Sequence, residues 1–162
     1  MSRYYAGIDP GLSGAIAIFH ESGSFEAVYD MPTITHKNGK REIDGSVLYE
    51  TLLQYKILHA YIEKVSARPG QGVTSMFSFG QSFGIIKGVL AGSEIPFSLI
   101  TSQRWKGNFK LLKTEKDAAR LLIIEMLPRR KHLFKRKKDC DRADACLIGL
   151  TGIGWQSAQT GV

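Results

Sequence analysis

The stretch YYAGIDPGLSGAIAIF, residues 4–19, sets the frame for the rest of the chain. Tyr4–Ile8 and Ala15–Phe19 are short apolar runs rich in β-formers, separated by Asp9-Pro10-Gly11-Leu12-Ser13-Gly14. Two such runs around a Gly/Pro turn read as a β-hairpin. The same reading leaves a carboxylate, Asp9, at the end of an apolar strand. A charge in that setting needs a cation or a metal ion beside it.

Working outward, Phe25–Tyr29 follows Glu21-Ser22-Gly23-Ser24 and gives a third strand. Met31–Lys40, with Pro32 and Asn38-Gly39, reads as a polar loop. From Asp44 the spacing of Val47, Leu48, Thr51, Leu52 and Tyr55 predicts a helix. Ile57–Val65 supplies a fourth strand with Glu63 near its end. The turn Arg68-Pro69-Gly70-Gln71-Gly72 leads into a long helix from Thr74 to Ala91, and Ile95–Ile100 is the fifth strand. Thr101 is placed to cap a short helix through Trp105. Thr114-Glu115-Lys116-Asp117 has the form of a capping box opening a helix to Leu127, which Pro128 ends. Asp141–Ile153 is the last helix. Three strands followed by alternating helices and strands predict an α/β fold, a mixed five-stranded sheet flanked by helices. With no repeat and no linker, residues 1–162 read as a single domain.

Hydrophobic residues make up 43% and charged residues 23% of the 162, which excludes disordered and collagen-like chains. The longest apolar runs fall far short of the ~20 residues of a membrane span. No secretory pattern opens the chain. Cys140 and Cys146 offer neither a disulfide framework nor a zinc spacing. A reduced, cytoplasmic setting without membrane contact is expected.

The net charge of +7 has an address. Arg129, Arg130, Lys131, Lys135, Arg136, Lys137 and Lys138 crowd one stretch without an acid, and acids and bases balance elsewhere. The plain reading is a solvated loop that aids solubility. One cationic stretch on a neutral domain also suits a phosphate backbone, and nucleic acid is the preferred partner.

Four acids stand out. Asp9 and Glu63 end apolar strands, while Asp141 and Asp144 share one face of a helix. Taken singly, each is ordinarily a surface carboxylate or a cap, and Asp141 is placed to N-cap its helix. Taken together, they could form one oxygen-rich site, which selects Mg²⁺ or Mn²⁺ over zinc. Two such ions clamp the attacking and leaving oxygens of a phosphodiester. The remaining signals are weaker. Residues 68–72 lack the Lys-Ser/Thr of a phosphate-binding P-loop, and Arg68 on DNA phosphate competes with a plain surface turn. Trp105 reads equally as a base-stacking or a packing residue. His20, His36, His59 and His132 match no metal or triad spacing, although His132 could touch phosphate. No serine or cysteine has a nucleophile's context.

Gly7–Ala15 resembles the first motif of the RuvC-like Holliday junction resolvases. Ile62-Glu63-Lys64-Val65 is similar to their second motif, Phe79–Gly84 to the helix that follows, and Asp141-Arg142-Ala143-Asp144-Ala145 to the closing one. The order agrees over about residues 4–150. The resemblance implies a ribonuclease H-like fold and a homodimer that nicks four-way junction DNA symmetrically with Mg²⁺ or Mn²⁺. By motif, Asp9, Glu63, Asp141 and Asp144 become the catalytic and metal-binding acids, with Asp139 a rival for Asp141 if the register shifts. Lys106 and Lys116 match DNA-contacting positions of the family, and Arg68, Lys135, Arg136, Lys137 and Lys138 complete the expected DNA surface. Ser66 stands where the family carries an aromatic wedge, which leaves Phe77 and Phe79 as candidates for that work or as core. The loop 67–73 resembles phage-encoded and chloroplast-type members more than the bacterial housekeeping enzymes. Other readings are a ribonuclease H-like nuclease on hybrid or flapped substrates, and a non-catalytic junction-binding protein. A sugar-kinase fold also begins with a similar Asp motif, but 162 residues are too few for its two lobes.

Overall fold

In a computed structural model that describes residues 1–155, β1 (Tyr4–Asp9), β2 (Ala15–His20) and β3 (Phe25–Asp30) form an antiparallel meander. β6 (Ile57–Glu63) pairs with β1 in parallel and β7 (Phe97–Ile100) pairs with β6 in parallel, so the main sheet runs β3-β2-β1-β6-β7. This is the expected mixed five-stranded α/β sheet of a ribonuclease H-like fold.

The alternation of strand side chains sorts the sheet into two faces. Ala6, Ile8, Ile16, Ile18, Ala60 and Ile62 pack toward α1 (Gly45–Leu53) and α2 (Val73–Gly92). Ala15, Ala17, Phe19 and Tyr61 pack the other way, where α3 (Ser102–Asn108), α4 (Ala118–Met126) and α5 (Cys140–Gly152) lie. Asp9 follows Ile8 and Glu63 follows Ile62, so the two acids point to the α5 face from the ends of neighbouring parallel strands. The register pairs Ile8 with Ile62 and so puts the two acids one row further on.

α5 comes unusually close to β1. A methyl group built on Gly7 would stand 2.3 Å from the Ala145 carbonyl oxygen and 2.5 Å from the Gly149 nitrogen. One built on Gly149 would meet the Phe19 ring at 2.9 Å. Two glycines facing each other let helix and strand backbones touch, and that contact sets how near Asp144 can come to Asp9. Gly14 is equally constrained, since its methyl would stand 2.0 Å from the Asp9 carbonyl oxygen.

Several expectations need correction. The region expected to be a polar loop contains β4 (Thr33–Thr35), paired with β5 (Arg41–Ile43) across a turn with Gly39 at φ +78°. The Asn-Gly turn closes a small hairpin, whose strands are too short to show an alternation. The capping box at Thr114 does not form: the Thr114 hydroxyl donates to the Leu111 carbonyl, Arg120 engages the Asp117 carboxylate, and α4 begins at Ala118. Asp141 is not an N-cap but lies in the first turn of α5, which opens at Cys140 after Asp139. β7 starts at Phe97 rather than Ile95, while β6 ends at Glu63, as expected. The basic stretch is not a loop but two 3₁₀ segments, Pro128–Phe134 and Lys137–Asp139, anchored by the buried Phe134 ring. No helix among the described residues is long and apolar enough to cross a membrane.

Candidate metal and nucleic-acid site

Asp9, Asp141 and Asp144 each offer a carboxylate oxygen, and the three oxygens lie within 4.8 Å of one another. It is the one such group of three or more acid, His or Cys ligands among the described residues. Glu63 stands on the same cleft, of about 640 Å³, whose walls include Thr101, Ser102, Gln103, Arg68 and Lys116.

The electrostatics are those of crowded carboxylates. Burial, then the charges of Asp144, Asp141 and Glu63, push the Asp9 pKa up to about 8. Burial and the neighbouring Glu63 and Asp141 push Asp144 up to about 7. Burial also raises Asp141 and Glu63, with Lys116 acting against the rise at the first, and Lys106 and Arg68 at the second. None of the four acids has a cation within ion-pair distance among the described residues. Crowded carboxylates of this kind stay ionised together only when positive charge sits between them. An all-oxygen donor set fits a hard divalent cation.

Asp139 takes no part. Its carboxylate is buried and accepts from the Arg136 backbone N–H at 2.8 Å and from the Arg136 guanidinium at 2.8 Å. Arg142, between the two helix acids in sequence, turns away from the cleft. It grips Asp30 on β3 with two hydrogen bonds of 2.7 and 2.9 Å and donates to the Leu133 carbonyl at 2.9 Å. These links fix α5 to the sheet edge and to the basic segment. No sequence pattern pointed to the Arg142–Asp30 pair, because its members are joined only by the fold.

The expected DNA-contacting cations divide. Arg68 and Lys116 line the acid cleft, and Lys106 is near enough to Glu63 and Asp144 to favour their charged forms. Lys116, Arg136 and Lys138 line an adjoining cleft of about 430 Å³ that Asp141 also borders. Arg136 is committed to Asp139. Lys135 and Lys137 are exposed and line neither cleft. Trp105 is core, 1% exposed, and its indole N–H lies near Glu63 but outside hydrogen-bond geometry, so it acts on the carboxylate only as a nearby dipole. Phe77 and Phe79 are not core: they are 70% and 40% exposed. Sequence reasoning missed Lys40 and Arg41, which the β4–β5 hairpin brings near the same end of the sheet.

No family model matches the chain. Among curated proteins it is 26% identical over 151 aligned residues to the chloroplastic Holliday junction resolvase MOC1 of Chlamydomonas reinhardtii. That match covers 78% of this chain but only 17% of the much longer relative. Among solved structures, the fowlpox virus Holliday junction resolvase superposes with a TM-score of 0.59 at 19% identity, covering 93% of this chain and 96% of its own. RuvC of T. thermophilus, solved in complex with a Holliday junction substrate, superposes with a TM-score of 0.57 at 12% identity, covering 94% and 98%. Sequence and structural similarity agree, and the chain has the ribonuclease H-like fold of the Holliday junction resolvases it resembles.

Proposed function

We propose that the protein is a divalent-metal-dependent endonuclease that resolves four-way DNA junctions as a homodimer, by paired symmetric nicks. The observation that carries this is the convergence of Asp9, Asp141 and Asp144 within 4.8 Å, unpaired with any cation among the described residues, in a cleft that Lys116 and Arg68 also line. Asp9, Asp141 and Asp144, with Glu63 on the same cleft, would hold Mg²⁺ or Mn²⁺. Such an ion, when bound, supplies an acidified water and charge neutralisation at the phosphodiester.

The chain's own groups do the rest. Lys106, Lys116 and Arg68 draw the phosphate toward four carboxylates that would otherwise repel it. Ser102 and Gln103 offer neutral donors in the cleft lining. The cations of residues 129–138 add affinity that is largely independent of sequence.

Homodimerisation has a candidate face. α2 carries one charge, Lys87, in twenty residues, and Gly80, Gly84, Gly88 and Gly92 form a row on which an added methyl would meet nothing within 4 Å. A helix apolar on more than its buried side is one that expects a neighbour. Two copies of α2 crossing at that row would set two acid clefts at a fixed separation, as two opposed cuts require.

The test is cleavage of an end-labelled mobile-core junction with Mg²⁺ or Mn²⁺, with duplex and RNA–DNA hybrid as competitors. Paired nicks by the wild type, absent from Asp144→Asn, are expected. Preferential cutting of the hybrid would move the protein to another ribonuclease H-like activity, and tight binding without cutting would make it a binding protein.

A further inference from the structure

The β4–β5 hairpin carries charge that the acid cleft does not use. Lys37, Lys40 and Arg41 lie in or beside its turn, and none of them is in an ion pair among the described residues. The hairpin's one carboxylate, Glu42, is engaged by His36 at 3.4 Å and by the Gln81 amide at 3.0 Å. The second contact ties the hairpin to α2. Arg41 is held by donating to the Leu12 carbonyl and the Thr33 hydroxyl, both at 3.2 Å. The arginine is therefore positioned but not neutralised.

Between this hairpin, the β1–β2 turn and the first half of α2 runs a groove of about 550 Å³. Leu12 and Phe79 give it apolar walls, Ser75 and Ser78 line it with hydroxyls, and Lys40 and Arg41 supply the positive charge. Phe79 borders both this groove and the acid cleft, so the two are neighbours. Arg41 borders both the groove and the cleft holding Arg136 and Lys138. Exposed ring, hydroxyls and cations in one groove match the three parts of a nucleotide. A base stacks on an aromatic face, while phosphate takes Lys and Arg. A second copy of the chain is a poorer occupant, because Ser75, Ser78, Phe79 and Ser82 lie on the opposite side of α2 from the glycine row.

We propose that this groove binds a nucleotide of the DNA substrate, its phosphate on Lys40 and Arg41 and its base against Phe79. The β4–β5 hairpin is then a DNA-binding element of the enzyme. This rests on the nuclease reading above, which supplies the DNA.

The experiment measures junction affinity by fluorescence anisotropy over a salt series, in an Asp144→Asn background so that the substrate stays intact. The variants are Lys40→Ala/Arg41→Ala and Ser75→Trp. The first is expected to weaken binding about ten-fold and to make the salt dependence shallower by about two phosphate contacts. Ser75→Trp keeps every charge at an exposed helical position and fills the groove, and it is expected to weaken binding by a similar factor. Thermal melts and light scattering establish that the variants fold and associate as the parent does. If both variants bind as the parent does, the groove is not a subsite and the nuclease reading stands. If only the charge variant is impaired, the hairpin acts through its field and the groove proposal is overturned. A parent protein that binds no junction overturns both.

Discussion

Asp9 is the most strongly crowded carboxylate of the cluster, and its discomfort is measurable. In the native chain Asp9 and Asp144 keep their protons up to about 8 and about 7, whereas an unfolded chain releases them near 3.8. Between those limits the native state binds more protons than the unfolded state, so stability falls as pH rises. Asp30 and Asp139 run the other way. Their arginine partners hold them below the ordinary carboxylate value, and the stability they contribute is lost only on acidification past it. Calorimetry in a chelator is expected to give the highest melting temperature in mild acid and a decline toward pH 8. Mn²⁺ should reverse the decline, with a rise that grows with its concentration. Asp144→Asn should flatten the slope and raise the alkaline stability of the metal-free protein. Each pKa step is worth about 1.4 kcal/mol and Asp144 is raised from 3.8 to about 7, so the gain is on the order of 4 kcal/mol. The same variant should lose most of the Mn²⁺ effect. A metal-free melt that is insensitive to pH across this window would mean that the acids are not crowded.

At the scale of elements, the site depends on how close α5 lies to β1. Gly149→Ala puts a methyl 2.9 Å from the Phe19 ring and 3.1 Å from the Gly7 Cα, and backbone cannot yield as a side chain end can. The expected cost is about 1–3 kcal/mol, seen as a lower melting temperature, with Mn²⁺ stabilisation reduced because Asp144 moves with the helix. Arg142→Ala tests the other end of that helix. Loss of its paired hydrogen bonds to Asp30 should loosen the placement of Asp141 and Asp144 and reduce Mn²⁺ stabilisation, although Arg142 touches no ligand of the site. Unaltered metal stabilisation in both variants would show that the acids are placed by something else.

Legibility follows the same division. The five strands, and the two acids that close β1 and β6, could be read because alternation and turn chemistry are local. The helical pair Asp141 and Asp144 was legible for the same reason. The Gly7–Gly149 contact and the Arg142–Asp30 grip were not, because each joins residues from distant parts of the chain. The hairpin of β4 and β5 left one local trace, Asn38-Gly39, but three-residue strands are too short to add a pattern. At Thr114 the local signal was present and lost, since Arg120 offered the Asp117 carboxylate a stronger partner than a backbone N–H.

At the scale of the whole molecule, the excess charge and the uncharged face of α2 lie in different places. Arg136 and Lys138 of the basic stretch, and Lys40 and Arg41 of the β4–β5 hairpin, line the clefts beside the acids, where a polyanion would approach. An uncharged face of α2 runs along a glycine row that costs helix stability and earns nothing in an isolated chain. Glycine inside a helix is roughly 1 kcal/mol less favourable than a good helix former. Gly84→Leu therefore separates the two possible states of the protein with opposite signs. In a monomer the leucine stands in open solvent, since nothing lies within 4 Å of its first carbon, and the helix gains stability. In a dimer joined at this row the leucine separates the two backbones. Mass by light scattering is then expected to fall to that of one chain and the melting temperature to drop. Cleavage should shift from paired incisions to singly nicked junctions, while Mn²⁺ stabilisation persists because the acids belong to one chain. A higher melting temperature for Gly84→Leu with unchanged mass and paired nicks would exclude α2 as the interface. Any coupling between the two cuts would then have to come from another surface.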